Sequence, residues 1–425
     1  MASRSPDAAV ADAGLRERAN AEALERLWGA EPVLVDVRPA VEVVPGMTKD
    51  TVLTSGAPLA WDDYFGGQRS GVIGGALYEG LAADAEEADA KIREGRIRVA
   101  ACHAHGCIGS LAGIYTASMP VFVVENRARG NRAFCNLFEG RSPARLNYGV
   151  YNEAVRKSLG FIQDVVGPVL GEAVRAADGI PLRPIVRRAL HMGDELHSRN
   201  TAATLLFTRE LFPALLDLSG RRSARIRRTL EYLSSSDYFF LRLSMASSKV
   251  TADAAHGVEG SSVVSAMTFS CRDFAIRVSG LDDAWFTAPL EPVDAKLFDG
   301  FTENDIEFMG GESVINETVG LGGFAQAAAF PLQAYQGGTP ERMVATNLEM
   351  YEITLGEHPE LRIPYLGFRG VPTGIGIHRV VETGIRPAMN VGVAGRNGGQ
   401  IGAGVLRAPL ACFEAAVDAY ARRYG

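Results

Sequence analysis

No apolar run in this sequence approaches the roughly twenty residues needed to cross a bilayer, and the first twenty-five residues hold no apolar core of a secretory leader. The expectation is a cytoplasmic chain that stays off the membrane. Cysteine is scarce: Cys102, Cys107, Cys135, Cys271 and Cys412 form an odd, scattered set that suits reduced thiols better than a disulfide framework. Positive charge is in deficit, with 43 Lys and Arg against 50 Asp and Glu. The net charge of −7 gives no field to draw in a nucleic-acid backbone, and no basic stripe is interleaved with aromatics to read bases. Internal repeats and low-complexity tracts are also missing. With 47% hydrophobic and 22% charged residues, little of the chain is left for long disorder.

What is present is enough apolar material for two or three domains in 425 residues. Apolar spacing at Leu15, Ala19, Leu24 and Leu27 predicts a helix over 15–28, and Val33 to Val37 reads as a buried strand between prolines. Helices over 75–81 and 82–94 then alternate with strands over 97–101 and 121–125, an α/β layer for residues 1–150. From Asn152 the spacing turns helical, with a kink expected at Pro168, and helices over 184–216 and 223–234 complete an all-helical segment, 151–235. The remainder, 236–425, reads as a glycine-rich α+β domain. It holds a small-residue helix over 239–256, strands over 262–269 and 274–279, a helix capped by Thr339 with Pro340 behind it, and a last helix opened by Pro409.

Four constellations could carry chemistry. Cys102-His103-Ala104-His105-Gly106-Cys107 follows a predicted strand; its spacing matches no standard zinc knuckle, so His103 and His105 read as substrate-lining rather than metal-binding. His191 to Asn200 is polar between apolar flanks. Read as a helix, it puts His191, Asp194 and Glu195 on one face and His197 and Asn200 on another, which excludes a shared ion and leaves His191 as a proton-transfer candidate near neutrality. Lys249, Asp253 and His256 fall on one face of a helix rich in small residues, against the bland reading of a surface ion pair. Glu317-Thr318-Val319-Gly320-Leu321-Gly322-Gly323 leads into a helical run, where backbone N–H groups could hold a phosphate or carboxylate; it is neither a Walker loop nor a dinucleotide fingerprint. Arg277, on an alternating strand, and Arg369, beside a Pro-Thr-Gly turn, could each clamp a carboxylate, although arginines on polar faces are commonly just solvated.

Taken together, Ala101 to Gly106, Ser118 to Asn126, Ala189 to Glu195, Glu317 to Phe324 and Gly399 to Gly404 resemble the YlbE/YahG/AllG family, over about residues 20–420. The resemblance implies an α+β fold of two irregular α/β domains with a small all-helical one. It also implies a subunit of an oxamate carbamoyltransferase that works with an FdrA-like subunit in an oligomer and phosphorolyses oxalurate, or a related ureido acid, to carbamoyl phosphate and an amide. No cofactor is implied. Such chemistry needs two anions held together and an acid for the departing nitrogen. Residue type and context offer His191, His256 and Glu317 for catalysis and the Gly320, Gly322 and Gly323 loop with Thr318 for phosphate. Arg199, Lys249 or Arg277 could take the substrate carboxylate. Two other readings stand beside this one: a scaffold whose partner holds the chemistry, and a metal-dependent amidohydrolase-like enzyme built on the Cys102 and His191 segments.

Overall fold

The computed structural model describes residues 6–425, apart from the side chains of 6–13, Ser219 and Arg221. It is an α+β structure of several small sheets joined by helices. The first sheet has four antiparallel strands in the spatial order Arg132–Asn136, Pro120–Asn126, Pro32–Pro39, Ile180–Pro181. Pro120–Asn126 and Arg132–Asn136 are buried along nearly their whole length because helices cover the sheet, and this is why they read as continuous apolar runs rather than alternating ones. A short parallel pair, Thr51–Thr54 with Arg98–Ala101, packs under the helices Gly66–Tyr78 and Ala85–Arg93.

Helix Leu241–Ala254 lies against the first sheet on one side and the turn Ile315–Thr318 on the other. Ser244, Ala246, Ser247, Ser248 and Ala252 are all buried in it, and their small side chains let its neighbours approach closely. The largest hydrophobic cluster forms around this helix and draws residues from Ala19 to Val371. A second cluster joins the three-stranded sheet Val264–Phe269, Asp273–Val278, Trp285–Pro289 to the sheet Asp294–Leu297, Gln400–Arg407, Ala388–Ala394 and to the closing helix Leu410–Tyr424. Among the described residues no helix is long and apolar enough to cross a membrane.

Local signals place most helices. Thr339 caps the helix Pro340–Glu352 by accepting the Arg342 N–H at 3.3 Å, and Pro409 precedes the last helix. The expected kink at Pro168 is instead a π turn over Ile162–Val166 that ends one residue before Gly167–Ala176. Such a bulge opens the hydrogen-bond ladder where the proline ring would clash with it. The long helix expected over 184–216 is two, Arg183–His191 and Thr201–Asp217, because the polar stretch between them is loop. Cys102–His105 is a 3₁₀ turn, so His103 and His105 do not face the same way as they would on an extended segment.

Candidate functional site

A cavity of about 360 Å³ opens where the loop after the first sheet, the start of helix Leu241–Ala254 and the strand Ala388–Ala394 meet. Arg141, Arg145 and Arg242 line it, with Asp237 as the one carboxylate in the wall. Three guanidinium groups against one acid give this cavity a local excess of positive charge in a molecule that is acidic overall. Arg242 is buried and donates from Nη1 to Asn136 Oδ1 at 3.0 Å, while its Nε has no partner. Arg145 lies over the ring of Tyr148 at 4.5 Å, and its Nε is also unpartnered. Glu139 fixes the wall between them: its buried carboxylate accepts the N–H of Leu146 at 2.6 Å and of Asn147 at 3.1 Å. Burial pushes this carboxyl up, and the charges of Arg242 and Arg145 offset part of the rise.

His197 and Ser198 line the same cavity. Behind them sits a buried network of two carboxylates. His197 Nδ1 bonds Glu317 Oε1 at 2.7 Å, which leaves Nε2 for the cavity. Glu317 also accepts Gly323 N–H at 2.9 Å and Asn390 N–H at 3.0 Å. Glu195 accepts the N–H groups of His197, Ser198 and Arg199, and the Asn390 side-chain amide at 3.2 Å. Burial acts to lower the His197 pKa, but the charge and hydrogen bond of Glu317, with Glu195 beyond, outweigh it and hold the imidazolium above its ordinary range. Burial pushes Glu195 up to about 7, against the hydrogen bonds that favour its ionised form. The arrangement can hold and release a proton at a cavity lined by arginines.

A second polar cluster stands behind the wall formed by Gly311 and Ser313, both of which line the cavity. Between them, Glu312 is fully buried, accepts Gly109 N–H at 2.5 Å and Gly56 N–H at 3.2 Å, and is pushed by burial to about 8. His103 Nε2 is 3.7 Å from Glu312, and neither ring nitrogen has a hydrogen bond. Burial and the nearby cations Lys249 and Arg277 hold His103 well below its ordinary pKa. Lys249 and Arg277 share Asp253, the latter at 2.9 Å, and His256 bonds Ser265 Oγ at 2.9 Å. Burial, then Arg277, lowers His256 to about 4.

The structure therefore gathers His103, Lys249, Arg277 and His256 into one cluster, and Glu317, Gly322 and Gly323 into another with His197. It does not gather the rest. His191 is exposed at the end of its helix, its ring edge-on to Phe368 at 5.5 Å. Arg369 is a surface residue paired with Glu357 at 2.6 Å and lying over Tyr351. His105 donates from Nδ1 to the Pro45 carbonyl at 2.6 Å. Arg199, half-buried, donates to the Gly193 carbonyl at 3.0 Å and forms an ion pair with Asp194 at 3.4 Å. Thr318 is buried with its hydroxyl unpartnered. The glycine loop does not present a free cradle: Gly320 N–H bonds Glu317 O, Gly322 N–H bonds Glu195 O at 2.7 Å, and Gly323 N–H bonds the Glu317 carboxylate. Its glycines serve close packing instead, since a Cβ on Gly322 would stand 2.1 Å from Glu317 Oε1.

Sequence reasoning missed the cavity arginines. Arg141 and Arg145 lie in a loop with no periodicity, and Arg242 opens a helix otherwise read through Lys249. The one available signal was Arg242 itself, a charged residue at the head of a run too rich in small and apolar residues to be surface. Among the described residues, no three of His, Cys, Asp and Glu group to hold a metal ion.

With this geometry in view, comparison defines the class. The family model described as "Oxamate carbamoyltransferase subunit AllG" matches residues 97–313. Together with the relatives below, this shows that the chain belongs to the AllG family. It is 40% identical over 413 residues to "Oxamate carbamoyltransferase subunit AllG" of Escherichia coli (strain K12), covering 96% of this chain and 98% of that protein. It is 41% identical over 421 residues to "Uncharacterized protein YahG" of the same organism, covering 98% of this chain and 89% of that one. The crystal structure of a conserved protein of unknown function from Enterococcus faecalis V583 superposes with a TM-score of 0.93 at 38% identity, over 96% of this chain and 98% of that one.

Proposed function

We propose that this chain is the substrate-holding subunit of a carbamoyltransferase assembly, and that its arginine-lined cavity takes a small ureido acid and phosphate side by side. Family membership supports the reaction class, and the convergence of Arg141, Arg145 and Arg242 with His197 carries the assignment to this cavity. In the reaction, a phosphate oxygen bonds to the ureido carbonyl carbon. The bond from that carbon to the nitrogen of the acid half then breaks. The nitrogen takes a proton and leaves as an amide, and the carbamoyl group leaves as carbamoyl phosphate. Two anions repel each other in water, so the guanidinium groups hold them at reacting distance and stabilise the oxyanion between them. His197, kept protonated by Glu317, donates from Nε2 to the departing nitrogen. Oxalurate is the substrate that fits the family description, and an FdrA-like subunit is the proposed partner.

Two measurements test the reading. Calorimetry of the isolated chain should show oxalurate binding that weakens about tenfold or more in Arg242→Ala, the loss expected for a charge-assisted hydrogen bond. The assembly co-purified with its FdrA-like partner should make carbamoyl phosphate from oxalurate and phosphate. An isolated chain that binds neither ligand, together with an Arg242→Ala assembly of undiminished turnover, would make the subunit a scaffold and refute the proposal.

A further inference from the structure

A second cavity, of about 420 Å³, shares no lining residue with the arginine-lined one and lies between strand Asp294–Leu297, strand Gln400–Arg407 and the loop before helix Pro340–Glu352. Its wall carries Lys296, Arg342 and Arg407 with the carboxylate of Asp294; Arg342 pairs with Asp294, Arg407 pairs with Glu349 at 2.7 Å, and Lys296 donates to the neutral Ala334 carbonyl at 2.8 Å. Gln336, 6% exposed, is in the same wall, and its Oε1 accepts no hydrogen bond. Gln326, 2% exposed, is there too and donates from Nε2 to Asn390 Oδ1 at 2.9 Å. Asn390 in turn bonds Glu195 through its side chain and Glu317 through its backbone, and Glu317 holds His197 in the first cavity. One buried chain of hydrogen bonds therefore runs from the second cavity to the first.

We infer that the second cavity is a separate ligand site for a small carboxylate that bears an N–H donor, and that its occupation is felt at His197 through Gln326 and Asn390. With Arg342 and Arg407 paired to carboxylates, the positive charge of Lys296 is left in excess and fits the carboxylate. The unpartnered, buried Gln336 Oε1 fits the donor, because an acceptor left unpaired inside a protein is costly and a ligand N–H removes that cost. Oxamate carries both groups. The site does not depend on the reaction proposed for the first cavity, but coupling between the two does rest on that reading. Linkage makes the coupling reciprocal: a ligand in either cavity changes the affinity of the other by the same factor.

The probe is oxamate, compared with pyruvate, in which a methyl group replaces the amino group. Calorimetry of the full chain should resolve two oxamate equivalents. The exposed-residue variant Arg342→Ala should remove one of them and Arg242→Ala the other, while Gln336→Leu should weaken oxamate at the second site about tenfold without removing it. Pyruvate should bind the second site about tenfold more weakly than oxamate in the wild type, and Gln336→Leu should abolish that preference. Gln326→Met, which cannot donate to Asn390, should leave two equivalents that bind independently. A single equivalent lost only in Arg242→Ala, or pyruvate and oxamate binding alike in the wild type, would overturn the second site. Two equivalents with no response to Arg242→Ala would leave the second site standing and count against the first.

Discussion

Replacing Gly322 by alanine tests the central geometric claim, that the glycine loop exists to bring Glu317 against His197 and not to cradle an anion. Gly322 has φ +58°, and a Cβ there would meet Glu317 Oε1 at 2.1 Å and His197 Cβ at 3.0 Å. Gly384 provides the control: its φ is +68°, but nothing lies within 4 Å of the Cβ position. Both substitutions incur the left-handed backbone cost of roughly 1–2 kcal/mol. Only Gly322→Ala adds an overlap, about 1–3 kcal/mol for a packed interior that must shift. It also strains a carboxylate that accepts three hydrogen bonds, from His197, Gly323 and Asn390. Gly322→Ala should therefore lose about 1–3 kcal/mol more than Gly384→Ala in matched urea titrations, and its assembly should lose most of its turnover while Gly384→Ala retains its own. Equal stability losses in the two variants would refute the packing argument. A large stability loss in Gly322→Ala with wild-type turnover from the surviving fold would separate Glu317 from the chemistry.

Other expectations follow from the same geometry. His197→Gln should lower kcat by about 10²–10⁴ with a smaller change in KM, measured on the co-purified assembly. Because the raised His197 pKa keeps the acid form present beyond the ordinary histidine range, wild-type turnover should hold through pH 6.5 and fall at higher pH, and the variant should lack that limb. Glu312, raised by burial from 4.5 to about 8, binds its proton more tightly folded than unfolded, so its linkage lowers stability as pH rises from about 4.5 to 8. Glu312→Gln should flatten that fall, by at most roughly 5 kcal/mol, in urea titrations at pH 5 and pH 8. Asp253→Asn leaves the buried Lys249 without its ion-pair partner and Arg277 with only the exposed Asp283 at 3.6 Å, and should cost about 3–5 kcal/mol, whereas Lys249→Met leaves Asp253 paired with Arg277 and should cost clearly less.

Where the sequence was readable and where it was not has a physical pattern. Strands 32–39 and 120–126 and the helices around Leu241 and Leu410 announce themselves because each buries a face, or the whole element, against one continuous core, and burial writes periodicity or an unbroken apolar run into the residues. The strands Thr354–Ile363 and Arg369–Ile375 lack that mark. They form a two-stranded ribbon carrying charged residues such as Glu357, Arg362 and Arg369, with a register shift between Glu357 and Arg362, so neither period is sustained. The candidate site divides in the same way. Lys249, Asp253 and His256 could be placed together because helical spacing alone puts them on one face. Arg277 joins them only by the pairing of the Val264–Phe269 and Asp273–Val278 strands, a long-range event.

His197 shows the limit most clearly. Its helical reading put it on the face opposite Glu195, yet the polar stretch is a loop in which Leu196 takes a positive φ of +72°. That one backbone conformation turns His197 toward Glu317, 120 residues later in the chain. A non-glycine residue is held here in the left-handed region at the point where two buried carboxylates and an imidazole converge, and on the proposed reading relaxing it would part His197 from the cavity. Leu196→Gly should relieve roughly 1–2 kcal/mol of that strain, but Leu196 is fully buried and losing its side chain costs about 3–5 kcal/mol, so the variant should be net destabilised yet folded. If its turnover then falls, the leucine serves to hold the loop rigid as well as folded.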